Sequence, residues 1–191
     1  MNKPASSLRI IGGSHRSRRI YFDDHGVRPT LDRVRQTAFD WLSPHLEGAS
    51  VLDLFAGTGA MGFEAASRGA HSVQAIENNR AAFSDLHTNI NNLKLPVEAH
   101  CLDALAYLKQ AASQPMRFDV VFLDPPFDAD LYAPVLALLP SVLTLQAWVY
   151  VEGRSLINPP PAGFRWHRQK QAGTIAFGLL HYQASLQGKE P

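Results

Sequence analysis

Asp124, Pro125, Pro126 and Phe127 follow directly on the unbroken apolar run Val120-Val121-Phe122-Leu123. Proline has no N–H to give a sheet ladder, so a pair of prolines ends a strand abruptly. The strand tip is left with a carboxylate, backbone carbonyls held outward by the prolines, and an aromatic ring. Acceptors in such an array can bind both hydrogens of an exocyclic base amine. Orienting those N–H bonds turns the nitrogen lone pair toward an incoming electrophile. Asp124 can stabilise the positive charge that develops on the nitrogen, and Phe127 can stack on an extruded base. Turn chemistry alone could explain the prolines, so a second motif has to separate the two readings.

That motif is Gly57-Thr58-Gly59-Ala60-Met61-Gly62, which fits G-x-G-x-x-G between a strand-like run and a helical one. Glycines there let the backbone turn tightly and approach a ligand, and the helix that follows offers free N–H groups. Glu77 ends the next strand, where a carboxylate can accept both hydroxyls of a ribose. A dinucleotide fits this pattern, and so does S-adenosylmethionine. Asp53 favours the second. It would repel a pyrophosphate but attract the cationic amino-acid end of S-adenosylmethionine. Asp103, after the third strand, can accept from an adenine amine or cap the helix behind it. The two roles can coexist.

These side chains need strand tips to hold them, and the chain supplies a regular succession. Strand-like runs at 50–55, 71–77, 97–102, 118–124 and 147–153 alternate with helical stretches at 60–69, 79–94, 104–112 and 131–143. Phe83, Leu86, Ile90 and Leu93 recur at the three- and four-residue spacings of an amphipathic helix. The alternation predicts a parallel sheet with helices on both faces. In such sheets ligands sit beyond the carboxyl ends of the strands, at the switch in strand order. Strands 50–55 and 118–124 are expected to flank that switch, which sets the Asp124 turn against the glycine loop. Residues 164–173 and 174–183 predict a terminal antiparallel hairpin. Short strands within 8–13 and 18–22, and a helix over 30–46 capped by Thr30, come before the sheet. One domain is expected: a basic hairpin and helix (1–46), a Rossmann-like core (47–183) and a tail (184–191). Cys101, inside a strand run, is expected in the core, as are Met61, Phe63 and the tryptophans.

Hydrophobic residues make up 46% and charged residues 18% of the 191, a balance that excludes a disordered chain. No apolar run approaches the roughly 18 residues of a membrane span, and residues 1–19 lack a signal-peptide segment. A single cysteine excludes an intrachain disulfide, so a cytoplasmic location is expected. The histidines show no H-x-x-x-H spacing, and no metal site is expected. Net charge is +1, yet residues 1–35 carry +5 and the remainder −4. That asymmetry points to a polyanionic partner, with a solvated arm as the alternative. Arg16, Arg18 and Arg19, between two short strands, and Arg33 beyond them are the candidate phosphate contacts.

Taken in order, DLFAGTGAMG (53–62), Glu77, Asp103 and DPPF (124–127) resemble the S-adenosylmethionine-dependent amino-methyltransferases. RIIGGSHRSRRI (9–20) and RPTLDRVRQTAFDWL (28–42) narrow the resemblance to the RsmD family, the bacterial 16S ribosomal RNA guanine-N2 methyltransferases. It runs from about Leu8 to Tyr182 and carries least over 155–191. The resemblance implies a Rossmann-like class I methyltransferase fold, α/β with a seven-stranded, mostly parallel sheet, and S-adenosylmethionine as cofactor. It implies that Arg28, Pro29 and Thr30 lie near the cofactor cleft. Asp53, Phe55, Ala56, Gly57, Gly59, Glu77, Asn78, Asp103 and Ala104 would hold the cofactor, and Asp124, Pro125, Pro126 and Phe127 the guanine. The implied partner is small-subunit ribosomal RNA, within an assembled or assembling 30S particle, met by a monomer. Three other readings remain. An NAD-dependent oxidoreductase leaves DPPF without a role. A cofactor-free RNA-binding protein leaves the cofactor-side residues without one. An amino-methyltransferase for adenine, cytosine or a protein amide is opposed only by the N-terminal resemblance.

Overall fold

Residues 120 to 123 alternate between two apolar layers. Val120 and Phe122 pack with Val51, Val73 and Tyr150, whereas Val121 and Leu123 pack with Leu52, Val149 and Val151. A strand buried on both faces needs apolar side chains at every position, which is why this segment reads as a continuous run. The computed structural model describes residues 6–23, 32–126 and 131–184. Its elements are β1 (Ser6–Arg9), β2 (Arg19–Phe22), α1 (Asp32–Leu42), β3 (Ser50–Asp53), α2 (Ala60–Ser67), β4 (Ser72–Ile76) and α3 (Arg80–Leu93). They continue with β5 (Val97–His100), α4 (Ala104–Ala111), β6 (Phe118–Leu123), α5 (Tyr132–Leu138), β7 (Leu143–Gly153), β8 (Phe164–Ala172) and β9 (Ile175–Tyr182).

Seven strands form one sheet in the order β5-β4-β3-β6-β7-β9-β8. Strands β3 to β7 are parallel, and β9 runs antiparallel between β7 and β8. Helices α1, α2 and α3 feed the layer containing Val120, and α4 and α5 feed the other. Strand order reverses at the parallel β3–β6 pair, where Asp53 is level with Phe122. The switch therefore falls between the two strands the sequence names for it.

Two predicted helices end early, both at proline. The stretch predicted over 30–46 is α-helical only to Leu42, and Ser43–His45 is a 3₁₀ turn with Pro44 in its first positions. The stretch predicted over 131–143 changes to a 3₁₀ turn at Leu139–Val142, with Pro140 placed likewise. Proline lacks the N–H and its ring clashes with the carbonyl four residues back, so the α-helix cannot pass it. Strand β7 then starts at Leu143, earlier than the predicted 147. Cys101 corrects the sequence reading: it is exposed, because edge strand β5 stops at His100 and the chain has left the sheet. Met61 and Phe63 are buried as expected, while Trp41, Trp148 and Trp166 are partly buried against the core.

Strands β1 and β2 form a separate antiparallel pair, and buried polar side chains fasten the segment to the helices. Glu64 of α2 is fully buried. It accepts hydrogen bonds from the Ile11 N–H at 2.7 Å and the Gly12 N–H at 2.8 Å, and pairs with Arg68 at 2.7 Å. A Cβ on Gly13, whose φ is +76°, would collide with the Ser67 carbonyl, so the chain passes α2 there only as glycine. Asn89 of α3 donates to the Tyr21 carbonyl at 2.7 Å and accepts from the Tyr21 N–H at 3.0 Å. Buried Arg35 of α1 donates to the Arg9 carbonyl at 2.7 Å. Among the described residues no helix is long and apolar enough to cross a membrane.

Candidate active site

The loop after β3 is tied to both neighbouring strands. The Leu54 N–H donates to the Phe122 carbonyl of β6 at 3.2 Å, and the Ala56 N–H to the Ile76 carbonyl of β4 at 2.9 Å. Gly57 and Gly59 have φ of 52° and 77°, the left-handed region where a Cβ is costly. At Gly59 a Cβ would also come within 2.5 Å of Leu86 and 2.6 Å of Phe63. This glycine starts α2 and lets it pack close to α3.

Glu77 closes the loop from the β4 side. One carboxylate oxygen accepts from the Gly57 N–H at 2.8 Å and the other from the Asn79 N–H at 2.7 Å. Each oxygen keeps a further lone pair for a ligand hydroxyl. Asp53, at the tip of β3, accepts from the Gly62 N–H in the first turn of α2 at 2.9 Å. Burial pushes its pKa up to about 7; the Gly62 bond opposes this and the Glu77 charge adds to it. Asp103 does cap a helix: its side chain accepts from the Ala106 N–H at 3.0 Å at the start of α4.

These groups surround one cavity of about 470 Å³, within the roughly 300–1,000 Å³ usual for small-molecule sites. Asp53, Phe55, Ala56, Gly57, Glu77, Asn78, Asp103 and Ala104 line it, and Asp124, Pro125 and Pro126 line it from the β6 side. Gly59 lies outside the wall. Arg28, Pro29, Thr30 and Phe127 fall outside the described residues. Asp124 is held well above the usual carboxylate range by burial first, then by the charges of Glu152 and Asp53.

Glu152 and Tyr150 of β7 and Arg154 just beyond it also line the cavity, and none was read from the sequence as a site residue. Glu152 is buried and accepts from the Tyr150 hydroxyl at 2.7 Å, and its carbonyl accepts from the Tyr132 hydroxyl of α5. A signal was present. Asp53, Asp124 and Glu152 each put an acid at the carboxyl end of a buried apolar strand, and only the first two had a motif beside them.

Arg16, Arg18, Arg19 and Arg33 are all exposed. The loop carrying Arg16 and Arg18 rests on the far ends of α2 and α3. The Ser14 N–H donates to the Ser67 carbonyl at 2.7 Å, and the His15 ring lies 3.1 Å from the Leu93 carbonyl. The cavity is at the other end of α2. An eight-residue helix spans about 12 Å, so this loop sits roughly one helix length from the cavity. Cations at helix C-termini also suit the helix dipoles, which gives Arg16 and Arg18 a local reason for their place.

Residues 8–181 match the family model described as "Conserved hypothetical protein 95". Ribosomal RNA small subunit methyltransferase D of Escherichia coli (strain K12) is 39% identical over 199 residues, covering 99% of this chain and 98% of that one. The chain belongs to the RsmD family. The solved structure of the Escherichia coli protein yhhF matches it with a TM-score of 0.85 at 38% identity, over 94% of this chain and 99% of that one. SMU.776, solved in complex with SAH, shares the fold at 12% identity with a TM-score of 0.73, over 95% of this chain and 57% of that one. The RsmD-family chain thus has the Rossmann-like class I methyltransferase fold, with a parallel sheet that closes in an antiparallel hairpin.

Proposed function

We propose that this RsmD-family protein is an S-adenosylmethionine-dependent methyltransferase acting on the exocyclic N2 amine of a guanine in small-subunit ribosomal RNA. One observation carries the reading: the Asp124-Pro125-Pro126 turn and the Gly57–Glu77 loop line the same cavity at the β3–β6 switch. The donor set suits the cofactor. Glu77 offers acceptors to a ribose diol, buried Asp53 a negative charge to an ammonium group, and Asp103 an acceptor to an adenine amine. Phe55, Ala56, Asn78 and Ala104 supply the walls between them. When bound, S-adenosylmethionine supplies a methyl group on a cationic sulfur. Asp124 and the carbonyls of the proline turn orient the amine and offset the positive charge it gains. Phe127 is the stacking partner of the base, and Arg28 and Thr30 border the cofactor.

Arg16, Arg18, Arg19 and Arg33 contact phosphates, which position RNA without reading its sequence. The substrate is an assembled or assembling 30S particle, met by a monomer in the cytoplasm. A nicotinamide dinucleotide is disfavoured by Asp53, whose carboxylate bonds the first turn of α2, where a pyrophosphate would sit. The test is methyl transfer from labelled S-adenosylmethionine to small subunits lacking the modification, followed by nucleoside analysis. Label in N2-methylguanosine is the expected result. Label in another nucleoside would overturn the base assignment, and calorimetric binding of NAD in place of S-adenosylmethionine would overturn the enzyme class.

A further inference from the structure

Asp124 does not stand alone at the strand tips. Glu152, on the neighbouring parallel strand, lines the same cavity, with Leu123 and Val151 paired in register just before the two acids. Glu152 is almost fully buried and tied on both sides, by the Tyr150 hydroxyl to its carboxylate and by the Tyr132 hydroxyl to its carbonyl. A buried carboxylate fixed in this way is a lasting source of negative field, and nothing in DPPF requires it. Methyl transfer to an amine does require a place for a proton. As the N–C bond forms, the donor's C–S bond breaks with its electron pair left on sulfur, and one N–H bond breaks and gives up a proton.

We propose that Glu152 is a positioning residue for this reaction: it acts through Asp124, setting the charge of that carboxylate so that Asp124 takes the proton the amine sheds and passes it to water. The inference rests on the functional reading above. Two carboxylates in one low-dielectric cavity cannot both stay ionised cheaply, so the pair holds a proton more tightly than either acid alone. Other groups face the same space. Asp53 at the end of β3 adds its charge to that of Glu152, and Glu77, Asp103 and Arg154 line the wall, with the Tyr132 and Tyr150 hydroxyls beside Glu152. Of these, Glu152 has the largest effect on Asp124 after burial itself.

The experiment uses two substitutions of different strength and two measurements. Glu152→Gln removes the charge and keeps the shape. Tyr150→Phe removes a hydrogen bond that stabilises the Glu152 carboxylate, so Glu152 holds a proton of its own more readily and less of its charge is felt at Asp124. In the protein alone, with aspartate side chains ¹³C-labelled, the Asp124 carboxyl titration should move to lower pH in Glu152→Gln by about one unit or more, and by a smaller step in the same direction in Tyr150→Phe. In methyl transfer, the acid limb of the kcat profile should move the same way in each variant, with KM for the RNA substrate within about threefold. Thermal denaturation identifies a variant that has merely failed to fold, and the other variant then carries the test. A titration unmoved in folded protein by Glu152→Gln, or moved to higher pH by either change, would overturn the proposal. Absence of methyl transfer in the unsubstituted protein would instead sink the functional reading, while the titration would still report on the pair.

Discussion

Asp53 is a carboxylate that the fold withholds from water, and its proton affinity has a consequence for stability. Its folded pKa is about 7 against an ordinary 3.8. A raised carboxylate binds its proton more tightly in the folded state, so stability is greatest below the ordinary value and is lost as pH climbs through about 7. Asp53→Asn keeps an acceptor for the Gly62 N–H and removes the buried charge. It should stabilise the protein at pH 8 by an amount on the order of a few kcal/mol and do little near pH 4, while weakening S-adenosylmethionine. Urea unfolding at the two pH values checks this, and equal gains at both would show that the charge was not the cause. Glu77 acts through hydrogen bonds. Glu77→Ala removes bonds to a ribose and also frees the Gly57 and Asn79 amides that hold the loop. At about 1.5–3 kcal/mol for a charge-assisted bond, the cofactor dissociation constant should rise at least tenfold in calorimetry, and an unchanged value would remove Glu77 from the site. Asp124→Ala should give the reverse pattern. Transfer should fall by roughly 10²–10³, as when one electrostatic stabiliser is lost, with cofactor affinity within a few-fold. Loss of both together would place Asp124 on the cofactor side.

Helix α2 carries two jobs on its eight residues. Its first turn receives the glycine loop, and Glu64 and Ser67 on its later turns hold residues 11 to 15. Glu64→Gln should cost roughly 1–3 kcal/mol, the usual range for a buried polar group left short of its partners. Hydrogen exchange should speed up at the Ile11 and Gly12 amides before it does at the sheet, with cofactor affinity unchanged. Uniform exchange throughout would mean that Glu64 supports the core and not the hairpin. Glu64 also shows where reading the sequence runs out. The alternation of strands and helices was legible because strands buried on both faces spell continuous apolar runs, and the switch between β3 and β6 follows from topology. Asp53, Glu77, Asp103 and Asp124 were legible because each stands at a strand end or beside a motif. Glu64 was not, since an acid inside AMGFEAAS looks like a solvated helix face until α2 proves to be buried along its whole length. Glu152 carried only part of the signal: an acid closes the apolar run AWVYV, but no motif stands beside it. Pro44 and Pro140 stand in the sequence as the stops of α1 and α5.

Across the whole molecule, residues 9 to 21 of the positively charged segment are fastened by backbone and side-chain bonds to α1, α2 and α3, which pack on one face of the sheet. We therefore expect the hairpin and the sheet to melt as a single unit, as one domain would. On the RNA side, changing Arg16, Arg18 and Arg19 together to Ala should weaken small-subunit RNA binding. It should also flatten the salt dependence by roughly 0.7–0.9 units of log–log slope for each phosphate that is no longer neutralised. Cofactor affinity should hold. Affinities measured at several salt concentrations decide it, and an unchanged slope would mean that these arginines do not touch the nucleic acid. The position of that loop also bears on the length of the substrate. An RNA strand gripped at the Ser67 end of α2 and reacting at the Gly59 end must bridge about 12 Å, or three to four stacked nucleotides at roughly 3.4 Å each. A fragment holding only the target base and its two neighbours would then be too short to reach both points, and transfer should climb with oligonucleotide length until that span is covered.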